Sequence, residues 1–538
     1  MRPYYITTPI YYVNDRPHIG HCYTTLIADA AARMQRLIRG GDGTVFFLTG
    51  TDEHAEKVVT AAAEHGATAM EWADLNAGRF REAFAEINCS NDDFIRTTEH
   101  RHKSKVLGYM RELLGTGDVY MGNYQGWFDP SQEEYVTEHA ARKAEFKSAV
   151  TGKPLEKRTE KNYFFRLSKY GDRLREHIEA HGSFILPEAR RNEVLGRIRQ
   201  GLQDVPISRA ITDESDAVQT WGIRMPGDDT HRIYVWIDAL FNYLSAVDTD
   251  ERRELWPATV HVIAKDILWF HAVIWPCMLM ALKRELPETV YSHSYWVAEG
   301  RKMSKSLGNF IDLPLLRGYM DRYSLDALRW YLITRGPLGV TDADFSHANF
   351  IEVYNADLAN TVGNSINRVG NMIGKYCDGC VPDPKGATEL EGHDWPSIAL
   401  GHVERMAASA DEFDLGSALR SGTDLVTVVD GYINQTEPFR LAKKLDEDPG
   451  SRDRLSAILY HCAEALRIAS LLLWPAMPQK MEEVWERWGC VPPEGVPLRE
   501  LAAWGGAHAL TPGQRIEKGS PLFMRADAGD PPPTPIGD

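Results

Sequence analysis

Cysteine is scarce in this chain. Seven are scattered over 538 residues, an odd number, and none lies between Cys89 and Cys277. That usage argues against a disulfide framework, and reduced thiols fit a cytoplasmic compartment. Also lacking is any apolar run that approaches the length needed to cross a bilayer. The opening Met1-Arg-Pro-Tyr-Tyr-Ile-Thr-Thr8 has neither the continuous apolar core nor the small-residue cleavage site of a secretory signal. Positive charge is in deficit as well: 60 Lys and Arg stand against 76 Asp and Glu, for a formal net charge of −16. Such a balance argues against a protein that coats nucleic acid nonspecifically, while leaving room for local basic patches. On composition alone the chain reads as an ordinary globular metabolic enzyme.

What is present is organised. A chain of 538 residues exceeds the size at which one core stops growing, which predicts two to four domains. Residues 4–13 read as a strand, 19–39 as a helix and 45–49 as a second strand, the spacing of a βαβ unit in a parallel sheet. Between Gly117 and Asp229 the texture turns charged and glycine-rich, with short aromatic patches at Gly126-Trp127-Phe128 and Tyr163-Phe164-Phe165. This stretch reads as an insertion. Strand-like runs resume at 233–237 and 260–263, so the sheet is split. Beyond Phe350 the chain reads helical nearly to Trp488. Leu358, Val362, Ile366, Val369 and Ile373 recur at helical spacing and predict a buried stripe. Asn360, Asn364 and Arg368, spaced by four, fall on another face. Asparagine is a mediocre helix former, so the row fits either a surface that reads base edges or a plain solvated face. Residues 527–538, with Pro531-Pro-Pro-Thr-Pro535, predict a disordered tail. No internal repeat is evident.

Two short motifs carry chemistry. His18-Ile-Gly-His21 stands where the first strand ends and the first long helix begins. Unpaired backbone N–H groups and the helix dipole favour an anion there. Gly20 lets a nucleotide approach the backbone, and two imidazoles offer donors to phosphate oxygens. Alone, the pair reads equally well as two packing histidines. Arg301-Lys302-Met303-Ser304-Lys305-Ser306, between Gly300 and Gly308-Asn309, reads as a loop carrying three cations and two hydroxyls. It suits closure over a polyphosphate and stabilisation of departing negative charge. Alone, it reads as a solvated basic loop.

Together, in that order across a split sheet, the motifs resemble the paired signature of class I aminoacyl-tRNA synthetases. The runs Ile6-Thr-Thr-Pro-Ile-Tyr-Tyr12, Leu48-Thr-Gly-Thr-Asp-Glu-His54, Tyr234-Val-Trp-Ile-Asp-Ala239 and Lys265-Asp-Ile-Leu-Trp-Phe-His271 are similar to the methionyl-tRNA synthetases, over nearly the whole chain to about residue 520. The resemblance implies an α/β protein: a Rossmann-like parallel-sheet catalytic domain (1–116 and 230–290) split by an inserted connective domain (117–229). A signature-loop and stem-contact region (291–347), an all-α helical-bundle anticodon-binding domain (348–520) and a tail (521–538) then follow. It implies methionine, ATP and tRNA(Met), initiator and elongator, as partners, with Mg²⁺ alongside ATP. Catalysis falls to His18, His21, Lys302 and Lys305, and ATP binding to those four with Gly20, Lys265 and Ser304. Ile10, Tyr12, Trp236, Ala239, Tyr243, Ile267 and His271 line the methionine pocket, and Asp52 holds the ammonium. Asn360, Asn364, Arg368 and Phe439 meet the anticodon, Phe439 standing where the family usually has tryptophan. Aromatic walls suit a polarizable thioether. One methylene is worth only about 1–3 kcal/mol, so a polar contact from Tyr12 or His271 to the sulfur would sharpen discrimination.

The chain also departs from the family. Where many members begin a zinc knuckle it reads Phe128-Asp129-Pro130-Ser131, so no structural zinc is expected. Cys377 and Cys380 read as two free thiols. Ala55 and Ala264 stand where glycine is usual, each adding a methyl near the site. No added dimerisation domain is evident, which makes a monomer the expectation, with no membrane association. Two rivals stay open. One is a class I synthetase for leucine, isoleucine, valine or cysteine, although those for branched aliphatics carry a far larger editing insertion. The other is a paralogue that binds tRNA without catalysis.

Overall fold

The computed structural model describes residues 2–130, 134–136, 138–149, 151–298, 300–301, 303, 309–445 and 450–537. Six parallel strands form its central sheet: β1 (Tyr4–Tyr12), β2 (Val45–Asp52), β3 (Asp93–Arg96), β4 (Ile185–Leu186), β5 (Val260–Ala264) and β6 (Thr289–His293), in the order β3-β2-β1-β5-β6-β4. Ile6 of β1 pairs with Phe47 of β2 on one side and Val260 of β5 on the other. These strands lie buried on both faces, which is why they read as apolar runs without alternation. The chain leaves β1 toward β2 and β3, then returns on the opposite side with β5 and β6. The junction of β1 with β5 is therefore the topological switch point, where open parallel sheets form a crevice at their carboxyl ends.

Helix α1 (Ile19–Arg39) follows β1. Its alanines at 28 and 30–32 favour the helix and let it lie close against the sheet. It ends at Gly40, whose φ of 59° few side chains tolerate, with Arg36 and Arg39 in its last turn.

Two expectations about the middle of the chain need correction. Residues 117–229 are not one separate insertion. Strands Val119–Asp129, Glu134–Val136, Glu156–Phe165 and Val205–Pro206 do form their own antiparallel sheet. Ile185–Leu186, however, pair with Val290 and Tyr291 and become an edge of the central sheet. Nor do residues 233–237 continue as a strand. Strand Asp228–Ile233 ends there and Val235–Leu240 is helical, with Ile237 and Asp238 donating back to the Tyr234 carbonyl. Burial nearly all round removed the 3.6-residue periodicity that would have marked it.

The C-terminal part is helical, dominated by Trp395–Asp411, Leu415–Thr436, Gly450–Leu473 and Pro478–Trp488. Leu358, Val362, Ile366, Val369 and Ile373 form the expected buried stripe. Helix Gly450–Leu473 corrects another reading. It is long and apolar enough to span a bilayer, and 94% of its apolar window is buried inside the protein, as a core helix would be. The tail, expected to be disordered, is packed. Leu522 and Phe523 are buried, Asn355 exchanges two hydrogen bonds with Ala526, and Arg322 pairs with Asp530. The Ile536 N–H donates to the Pro314 carbonyl, so the proline run lies against helix Leu313–Tyr323. Composition predicted low burial. Anchors on distant elements supply what the segment's own residues lack.

One buried cation joins the halves. The Arg329 guanidinium reaches Asp29 of α1 (2.7 Å), the carbonyls of Ile87 (2.8 Å) and Asn88 (3.3 Å), and those of Pro475 (3.0 Å) and Ala476 (3.1 Å) in the helical part. Burial alone would raise the Asp29 carboxyl, but Arg329 and Arg33 outweigh it and hold it low. Arg329→Ala should therefore lower the unfolding free energy by about 3–5 kcal/mol, the usual cost of stripping a partner from a buried ion pair. Urea denaturation followed by tryptophan fluorescence measures this. A loss below about 1 kcal/mol would show that Arg33 suffices for Asp29.

Candidate active site

The first half of the site is built where β1 hands over to α1. His18 is the N-cap, and its Nδ1 accepts the Gly20 N–H at 3.0 Å. The Nδ1 of His21 accepts the His18 N–H at 3.3 Å. With both Nδ1 atoms accepting, each ring carries its proton on Nε2, and the two rings stack at 3.9 Å. Burial, then the neighbouring His18 and Lys57, keep His21 neutral by pushing its pKa well below the ordinary value. The two rings thus stand together at the N-terminus of α1. A Cβ at position 20 would lie 2.9 Å from the His18 ring, so a side chain there would push that ring out of its capping position.

The described ends of the basic loop come to this point. Of its residues, Lys302, Ser304 and Lys305 lie outside the described residues, but its two ends do not. Arg301 bridges to Ala298, and Asn309 donates to the Ala298 carbonyl at 3.3 Å. Beyond the loop, Phe310 packs edge-on against His18 at 5.3 Å, Ile19 N donates to the Ile311 carbonyl at 3.2 Å, and Asp312 bridges to His18. Lys265, at the mouth of β5, is engaged by Asp342 at 2.6 Å.

The second half lies around the carboxyl ends of β1, β2 and β5. Tyr12 and Asp52 are register partners at the ends of β1 and β2. Ile10 pairs with Gly50 one step deeper. The Trp236 ring stacks on Phe270 at 4.1 Å and meets Tyr12 edge-on at 5.9 Å. Ala239 is on the same short helix as Trp236, and Tyr243 on the next. The Tyr243 hydroxyl bonds His271 Nε2 at 2.7 Å, while His271 Nδ1 donates to the Ile267 carbonyl at 2.9 Å. This corrects the role imagined for His271: both nitrogens are spent, so neither is left to contact a sulfur atom. Burial brings its pKa down to about 4, so the ring is a neutral acceptor that fixes Tyr243. Ala55 and Ala264 have φ of −69° and −83°, so neither methyl strains the backbone.

Several buried polar residues in these elements escaped the sequence reading. Asp238 lies between His54 Nδ1 (2.6 Å) and His102 Nε2 (2.9 Å). His261 Nδ1 bonds Thr7 at 2.7 Å, and its ring lies 4.2 Å from Tyr243. His293 joins Thr24 of α1 at 2.8 Å. His54 and Asp238 fall inside the recognisable runs 48–54 and 234–239, which was the available signal. For His102, His261 and His293 there was none, because their partners are far away in sequence.

On the helical part, Asn360 and Asn364 are exposed and Arg368 is half-buried, its guanidinium 3.5 Å from Asn434. Asn360 lies in the π-helix 354–363, while Asn364 and Arg368 lie in the α-helix 364–376, so the three do not follow a single helical period. Phe439 is 38% exposed on the short helix Pro438–Leu441, a large apolar ring facing solvent. Among the described residues no group of three His, Cys, Asp or Glu side chains is arranged to hold a metal ion.

The family model described as tRNA synthetases class I (M) matches residues 4–144 and 139–370. The methionine–tRNA ligase of Bacillus subtilis is 40% identical over 98% of this chain and 78% of its own length. That of Streptomyces coelicolor is 39% identical over 98% of this chain and 97% of its own. Among solved structures, the Mycobacterium tuberculosis methionyl-tRNA synthetase in complex with methionyl-adenylate superposes with a TM-score of 0.86 at 34% identity, covering 98% of this chain and 100% of that one. The apo form of the same protein gives 0.80 at 32% identity, covering 98% and 99%.

The neutral state of His271 has a stability consequence. A folded pKa of about 4 against an ordinary 6.5 means the unfolded chain binds a proton that the folded one refuses. This stabilisation is complete above pH 6.5 and is lost as pH falls toward 4. Between pH 7 and 5 it amounts to about 2 kcal/mol. The stability gap between wild type and His271→Asn should narrow by about that amount over this interval in urea titrations, whereas a pH-independent gap would mean that folding leaves the ring's pKa unshifted.

Proposed function

The chain belongs to the class I methionine–tRNA ligases, and from that premise we propose how its own residues divide the work. It activates methionine with ATP, giving methionyl-adenylate and pyrophosphate, and then transfers the methionyl group to tRNA(Met). In the first step a methionine carboxylate oxygen bonds the α-phosphorus and the bond to the β-phosphate oxygen breaks. No covalent enzyme intermediate is needed, so the protein's task is positioning and charge stabilisation.

The observation that carries the residue assignment is the contact of Phe310, Ile311 and Asp312 with His18 and Ile19, which holds the stem of the basic loop beside the start of α1. His18 and His21 then offer Nε2–H to phosphate oxygens over Gly20. Lys302, Ser304 and Lys305 act from the loop on the departing pyrophosphate. Lys265 would join them by exchanging Asp342 for a phosphate. Asp52 receives the substrate ammonium. Ile10, Tyr12, Trp236, Ala239, Tyr243, Ile267 and His271 enclose the thioether, with His271 acting through Tyr243. Asn360, Asn364 and Arg368 read the anticodon edges and Phe439 stacks on a base.

Mg²⁺ is taken to arrive with ATP. No structural zinc is assigned: the position of the usual first knuckle lacks thiolates, and the Arg158 and Arg209 guanidiniums lie 3.9 and 4.4 Å from the Phe128 ring centre, an inhospitable place for a cation. A cytoplasmic monomer acting on both initiator and elongator tRNA(Met) completes the reading.

ATP–pyrophosphate exchange across a panel of amino acids tests the pocket, and a preference for any amino acid other than methionine overturns it. Lys305→Ala should reduce exchange strongly while the circular dichroism spectrum stays native, and unchanged exchange kinetics would remove the loop from catalysis. Arg368→Ala should weaken charging of tRNA(Met) and spare exchange. Equal loss of both activities would count against an anticodon surface there.

A further inference from the structure

Asp238 is a carboxylate with no direct part in the chemistry above, yet it is buried among the elements that build the pocket. One oxygen meets His54 Nδ1 at 2.6 Å and the other His102 Nε2 at 2.9 Å. His102 Nδ1 in turn lies 2.8 Å from the Ser245 hydroxyl. All four side chains are buried, Asp238 to 1% exposure. Burial would raise the Asp238 carboxyl, but His54 and His102 outweigh it and bring it to about 2, so the charge persists across the working pH range. A buried charge survives only with partners of good geometry, which makes its partners' positions hard to change.

What these contacts connect is informative. His54 stands two residues past Asp52, on the turn that ends β2. The other side of that turn is anchored by Glu53, which receives Arg96 at 2.6 and 3.1 Å and the Thr98 hydroxyl. Asp238 is on the helix that carries Trp236 and Ala239, and Ser245 is two residues past Tyr243. The chain Ser245–His102–Asp238–His54 therefore runs from the elements that wall the side-chain pocket to the segment that holds the ammonium. We propose that Asp238 is a positioning residue for specificity, setting the distance between the Asp52 carboxylate and the aromatic wall and hence the length of amino acid that fits. This rests on the methionine-pocket assignment made above.

The test is steady-state exchange with methionine and with ethionine, its homologue one methylene longer. Asp238→Asn keeps the volume but leaves an amide N–H₂ facing an imidazole N–H. It should raise the KM for methionine about ten-fold with the KM for ATP changed less than about two-fold, as a displaced wall but intact nucleotide site requires. Discrimination against ethionine should fall by about three-fold or more, since one methylene is all that separates the two substrates. His102→Gln, which loosens the chain at its far end and touches no substrate, should shift both values in the same direction by a smaller factor. It also serves if Asp238→Asn fails to fold. Parallel rises in both KM values, or unshifted methionine KM and selectivity in a folded variant, would overturn the proposal. Absence of methionine-dependent exchange in the wild type would overturn the pocket assignment itself, and the proposal with it.

Discussion

The pairing of β1 with β5 governs the rest. Parallel strands joined by crossover segments point their carboxyl ends the same way, so every loop that leaves the sheet at that edge faces one crevice. β1 delivers Tyr12 and then His18 to it, β2 delivers Asp52 and His54, β5 delivers Lys265 and then His271, and β6 delivers His293. Because β1 sits between β2 and β5, Asp52 at the end of β2 and Lys265 just past β5 lie on either side of one strand. Slipping that register by one residue would turn alternate side chains away from the crevice.

Burial then decides protonation. The imidazoles of His21, His261, His271 and His293 are all pushed below their ordinary pKa by desolvation. Neutral rings both donate and accept, and the protein uses this. His271 fixes Tyr243, and His18 and His21 cap a helix through Nδ1. Charge is reserved for places with matched partners, such as Asp29 with Arg329 and Asp238 with its two histidines. A chain with net charge of −16 thus gathers neutral imidazoles at the start of α1 and keeps its buried charges paired.

Legibility followed the range of the interactions. The βαβ opening, the helix at 19–39 and the stripe from Leu358 to Ile373 were readable because period and caps are local. The helix at Val235–Leu240 reads as strand because burial on nearly every side erases its period, and the tail reads as disordered because its anchors, Tyr354, Asn355 and Arg322, are remote. In the site, motif residues were legible and their supports were not: nothing near His102 in sequence announces Asp238.

By itself, then, the sequence determined which residues could carry the chemistry, through two short motifs and the runs around them, since helix starts, glycine turns and cation-rich loops are local constructs. Only the tertiary structure decided that the loop's stem meets the first helix, that His271 bonds Tyr243, and that one buried carboxylate ties the turn after Asp52 to the helix of Trp236. The physical reason is that desolvation and hydrogen-bond partnership depend on neighbours brought together from far along the chain, and no local pattern encodes them.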